Sequence, residues 1–110
     1  MILPDLLQAN LNIVFCGTAP GTVSAQRGAY YANPGNAFWR TLFEVGLTPH
    51  QVSPKDFQGI TQYKLGLTDL AKQVYGADSS LKKSDFGPSQ LREKILHFNP
   101  KILAFTSKRA

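Results

Sequence analysis

The sequence predicts a three-layer α/β/α fold around a short central parallel sheet, with no internal repeat or low-complexity tract, and three observations lead there. Two apolar runs, Leu11 to Cys16 and Lys101 to Phe105, have the length and content of strands buried on both faces. Between them lie stretches with helical apolar spacing, and strands that alternate with helices belong to parallel α/β architectures. The 110 residues, 43% apolar and 17% charged, supply enough hydrophobic material for one domain over residues 1–110.

The first strand ends at Gly17. Gly17-Thr18-Ala19-Pro20-Gly21 follows as a tight turn, because proline fixes its own φ and glycine accepts a positive one. From Thr22 to Asn36 no period is visible, which predicts a long loop bearing Arg27, Tyr30, Tyr31 and Asn33. Loops of that length in compact domains are often functional. Asn36 caps a helix whose apolar face is Phe38, Trp39, Leu42 and Phe43, with Gly46 at its stop. Ser53-Pro54-Lys55-Asp56 starts a second, short helix: serine caps it, proline fits its first turn, and Asp56 faces the positive end of the dipole.

Leu65 to Leu70 reads as a strand end that delivers Thr68 and Asp69 to the surface, and Gly76 to Pro88 as loop. Leu91, Ile95 and Phe98 share one face of a helix that stops before Asn99-Pro100. In a parallel sheet ligands bind beyond the carboxyl ends of the strands, which places Gly17-Thr18-Ala19 and Thr106-Ser107-Lys108 at one edge. Only five residues follow Phe105, so the last strand lacks the helix or strand expected to cover it, and the sequence predicts a domain whose C-terminal part is missing.

The formal net charge of +5 is uneven. Residues 1–81 carry five basic and five acidic side chains, residues 82–110 seven and two. A basic end suits a polyanion, because cationic side chains near phosphates release counterions. The lone cysteine, Cys16, forms no internal disulfide, supplies no thiolate set for zinc or an iron–sulfur cluster, and reads as a buried strand residue. His50 and His97 lack ligand spacing and are expected at the surface. No cofactor and no metal are expected. The chain has neither a nucleophile elbow nor the Gly-Lys-Ser/Thr ending of a P-loop. It lacks an apolar stretch of membrane-spanning length and the features of a secretory signal, so an intracellular monomer is the expectation.

Val14-Phe15-Cys16-Gly17-Thr18-Ala19-Pro20-Gly21, followed by Tyr30-Tyr31-Ala32-Asn33-Pro34-Gly35-Asn36-Ala37-Phe38-Trp39, resembles the mismatch-specific uracil and thymine DNA glycosylases of the uracil-DNA glycosylase superfamily. Val45-Gly46-Leu47-Thr48, Gly66-Leu67-Thr68-Asp69-Leu70 and the strand from Lys101 recur in the same order, so the similarity covers nearly the whole chain. The resemblance implies hydrolysis of the bond between base and sugar in a nucleotide everted from DNA, in base-excision repair. Gly17, Thr18, Ala19 and Pro20 would border the base. Backbone amides near Thr18, Ala19 and Tyr31 would stabilise the leaving anion, and the Tyr31 ring would stack on the base.

Such enzymes usually carry Asn or Asp where Ala19 stands, to orient the attacking water. The Tyr30–Pro34 segment is also similar to the hypoxanthine-DNA glycosylase branch, which draws an asparagine from this region. Either Asn33 or Asn36 supplies the amide instead, Asn33 being favoured for catalysis and Asn36 for helix capping or base contact, or catalysis rests on leaving-group stabilisation alone, or activity is weak. The family's C-terminal wedge has no counterpart here, and Lys108 and Arg109 are candidates for phosphate contact. The alternatives are a catalytically silent nucleic-acid-binding module of the same fold and a small-molecule nucleotide binder.

Overall fold

A computed structural model describes residues 2–76 and 87–106 of the chain. Three parallel strands, β1 (Ile13–Gly17), β2 (Leu65–Asp69) and β3 (Ile102–Phe105), form a sheet in the order β2-β1-β3. The register sets Ile13 beside Leu65 and Ile102, and Cys16 beside Thr68 and Phe105. Side chains alternate across a strand and register partners share a face. Ile13 and Phe15 therefore look toward one layer of helices, and Val14 and Cys16, both fully buried, toward the other.

The first layer contains the helices α1 (Thr22–Arg27) and α2 (Phe38–Glu44) and a 3-10 helix, Pro54–Tyr63. Its core joins Leu3, Tyr30, Trp39, Leu42, Phe57 and Ile60 to Leu65 and Leu67, with Phe15 and Phe38 packed against it. The Trp39 indole N–H donates to the Tyr30 carbonyl at 3.0 Å, so the largest side chain of the layer meets its one polar need inside the core. The opposite layer contains α3 (Pro88–Phe98), whose Leu91 is buried. The three-layer α/β/α arrangement is thus as the sequence predicts.

Several elements depart from their sequence reading. The segment expected as loop begins with α1, too short at six residues to show a period and closed by Gly28 at φ 65°. Phe43 does not join the buried face of α2; it is 44% exposed, because a helix of seven residues turns only Trp39 and Leu42 fully inward. The second helix is 3-10 rather than α, kinked at Asp56, and Ser53 makes no side-chain cap. β3 is an edge strand, not a buried one: Ile102 is 54% and Phe105 51% exposed. Thr68 and Asp69 are buried instead of delivered to the surface, since all five residues of β2 lie inside. His50 and His97 are exposed, as anticipated. The loop expected between Gly76 and Pro88 lies largely outside the described residues.

An N-terminal segment closes the outer flank of β2. Leu6 and Leu67 exchange both backbone hydrogen bonds, at 2.9 and 3.0 Å, as an antiparallel bridge.

Candidate active site

The carboxyl ends of the strands bring Gly17, Asp69 and Thr106 together. Backbone bonds extend the pairing past the strands themselves: Leu70 donates to the Gly17 carbonyl, Ala71 to that of Thr18 and Thr106 to that of Cys16. The loop after β1 is thereby fixed on both sides. A cavity of about 440 Å³ opens over this edge, a size usual for small-molecule sites. Gly17, Thr18, Ala19, Pro20, Tyr31, Asn33 and Asn36 all line it, so the two motif segments, separate in sequence, converge on one space. Lys108 and Arg109 lie outside the described residues.

Tyr31 is held by three constraints. Its backbone sits at φ 52°, a left-handed conformation rare for a non-glycine residue. Its ring stacks on Phe38 with centroids 3.9 Å apart, and its hydroxyl shares a 2.9 Å hydrogen bond with Thr106 Oγ1. Phe38, read from the sequence as core, is half-buried and serves as the backing plate of Tyr31, in a T-shaped contact with Phe15. Tyr30, the neighbour, is a structural residue: its hydroxyl donates to the Pro4 carbonyl at 2.9 Å and its ring is buried.

The two asparagines are turn residues as well as cavity residues. Asn33 Oδ1 accepts from the Gly35 amide at 3.0 Å, and Asn36 Oδ1 from the Phe38 amide at 2.8 Å; the cap position of α2 is Ala37, so Asn36 makes a turn just before the helix and is not the cap the sequence predicts. Ser24, in α1, anchors the segment by accepting from the Ala32 amide at 3.0 Å. Ala19 presents only a methyl group.

Behind the cavity lies a charged cluster. Asp5 accepts from Thr68 Oγ1 at 2.7 Å, pairs with Lys72 at 2.9 Å, and is bonded by Lys94. Burial alone would raise the Asp5 pKa, but the hydrogen bonds from Lys94, Thr68 and Lys72 outweigh it and hold it below its ordinary value. Asp69 has the opposite balance. It is 5% exposed, Lys72 stands 3.9 Å from Oδ2, and Oδ2 has no hydrogen-bond partner among the described residues. Burial pushes its pKa up to about 6. Cys16 is inert as expected, its thiol pushed up to about 12 by burial. Among the described residues no three His, Cys, Asp or Glu side chains gather as a metal site.

Asp69 and Thr106 are among the cavity residues to which sequence reasoning gives no role in the site, as are Leu3, Ser24 and Tyr30. For Asp69 a signal exists: a strand end in a parallel sheet opens at the ligand edge, so the Thr68-Asp69 pair points there once Leu65–Leu70 is a strand. Thr106 carries the same signal: it follows the carboxyl end of the last strand, and the sequence already sets it at that edge, where it lines the cavity.

A parallel α/β sheet with an aromatic-backed cavity across its carboxyl edge is the class of fold that binds a ligand at that edge. Residues 4–110 match the model of the uracil DNA glycosylase superfamily, and the chain belongs to that superfamily of DNA glycosylases. No described helix is long and apolar enough to cross a membrane.

Proposed function

We propose that this protein is a monofunctional DNA glycosylase of base-excision repair, hydrolysing the N-glycosidic bond of a uracil or hypoxanthine everted from DNA. The observation that carries the reading is the convergence of the Gly17–Pro20 loop with Tyr31, Asn33 and Asn36 around one cavity. In this reading the base enters against the glycine-bearing loop, whose amides at Thr18 and Ala19, with that of Tyr31, stabilise the negative charge that develops on the departing base. The Tyr31 ring, braced by Phe38, limits how the base sits. Asn33 and Asn36 contribute polar contacts to the reacting nucleotide from the cavity wall, and Lys108 and Arg109 contact phosphate. Everting the base costs a few kcal/mol, which contacts to the flanking backbone must offset.

Single-turnover reactions with uracil- and inosine-containing oligonucleotides test this; release of neither base overturns it. Ala19 supports a second reading, a silent DNA-binding module, because a methyl group cannot orient water. Replacing it, Ala19→Asn, separates the two. A gain in base release speaks for a glycosylase pocket, and unchanged silence with salt-sensitive DNA binding speaks for the module.

A further inference from the structure

We propose that Asp69 is the general base of this site, taking from the attacking water the proton that no side chain at Ala19 can accept. The inference rests on the glycosylase reading and deepens it. Asp69 ends β2 directly beside Gly17, its register partner at the end of β1, and both line the cavity. A Cβ built on Gly17 would stand 2.8 Å from Asp69 Oδ1, 3.3 Å from the Tyr31 hydroxyl and 3.4 Å from Thr106 Oγ1. Three oxygens thus converge at a backbone position that has no side chain, on the wall of the cavity.

A purely structural duty does not account for this carboxylate. Buried polar atoms are almost always hydrogen-bonded, yet Oδ2 has no such partner among the described residues. Its nearest cation, Lys72, sits at 3.9 Å while bonded to Asp5 at 2.9 Å. The other candidates are less able to accept a proton. Asn33 and Asn36 spend their carbonyls on local turns, and the Cys16 thiol is buried and donates to the Gly17 carbonyl.

The groups that face Asp69 come from five parts of the chain: Lys72 from the segment after β2, Asp5 from the N-terminal segment, Lys94 from α3, Cys16 from β1, and Tyr30 and Tyr31 from the segment after α1. Burial dominates and raises the carboxyl; Lys72 and Lys94 oppose it and Asp5 adds to it. The result, about 6, leaves Asp69 ionised at neutral pH and more basic than an ordinary carboxylate, as a general base requires.

In the reaction the water oxygen bonds to C1′ of the deoxyribose while the C1′–N bond breaks and its electron pair leaves on the base nitrogen. One water proton passes to Asp69, and the departing base anion is protonated by that proton or by solvent. One water is consumed, and an abasic site and a free base result.

The test is single-turnover base release at saturating enzyme, from about pH 4.5 to about pH 9, for the wild type, Asp69→Asn and Asp69→Ala. The wild-type rate is expected to rise with unit slope through an inflection near pH 6 to a plateau. Both variants are expected to lose about 10²- to 10⁴-fold on the plateau, and the inflection with it, at unchanged half-saturation. Circular-dichroism melts of the same samples verify the fold. If neither variant folds, the wild-type profile decides, and a flat rate across the region of pH 6 overturns the proposal. A folded variant that keeps the wild-type rate and inflection overturns it too, as does a loss confined to half-saturation, which makes Asp69 a base-recognition group. In those cases the glycosylase reading stands. Failure of the wild type to release either base removes both.

Discussion

Asp69 concentrates the cost of function in one side chain. Its pKa in the folded protein, about 6, lies above the ordinary carboxylate value, so the folded state holds the proton more tightly than the unfolded chain. Ionised Asp69 therefore opposes folding above pH 6, and the penalty is withdrawn as pH falls from about 6 toward 4. Asp69→Asn is expected to be more stable than the wild type at pH 8, by on the order of a few kcal/mol, with the difference closing in acid. Calorimetry at three pH values checks it; a variant less stable than the wild type at pH 8 shows that the Lys72 pair outweighs burial at this carboxylate. Tyr31 is a second such residue. Its left-handed backbone costs about 1–2 kcal/mol, retained because the Phe38 stack and the Thr106 hydroxyl fix the ring on the cavity wall.

Among elements, the N-terminal segment does more than its lack of regular structure suggests. Through Asp5 it bonds to Thr68 of β2, to Lys72 and to Lys94 of α3, so one carboxylate ties three parts of the chain behind the site. The Asp5 pKa lies below its ordinary value, so its contribution is present above that value and lost as pH falls through the lowered one, the reverse of Asp69. Asp5→Ala strands two partly buried lysines and is expected to cost about 2–4 kcal/mol in a denaturant titration. The same change removes a negative neighbour of Asp69 and frees Lys72, so the acidic limb of the pH–rate profile is expected to move to lower pH. A shift to higher pH would show that Asp5 and Lys72 do not act on Asp69 in this way. None of this cluster is visible in the sequence, where Asp5 and Thr68 stand 63 residues apart. Elements with a strong local signal are legible: β1 from its apolar run, α2 from the Asn36 start and Gly46 stop, α3 from its spacing and Asn99-Pro100. α1 is not, because six residues make less than two turns; nor is the exposure of β3, which depends on which strand lies at the edge.

At the scale of the molecule, the motif residues converge on one cavity, while the presence of Asp69 on its wall depends on strand order and burial that spacing alone does not encode. The net charge of +5 gives a prediction that is independent of the site. Duplex affinity is expected to fall with salt, and Lys108→Ala with Arg109→Ala to reduce the log–log slope by about 0.9 for each phosphate that is no longer neutralised, without changing the pH inflection. An unchanged slope in fluorescence-anisotropy titrations assigns phosphate binding to other side chains. The Leu6–Leu67 bridge has a separate consequence for association. One lateral border of the sheet is occupied by the protein's own backbone, and only the border at β3 has main-chain groups to offer among the described residues. Among the described residues the Leu6 bridge therefore takes up main-chain groups of β2 that an added strand would need, which blunts strand addition on that side.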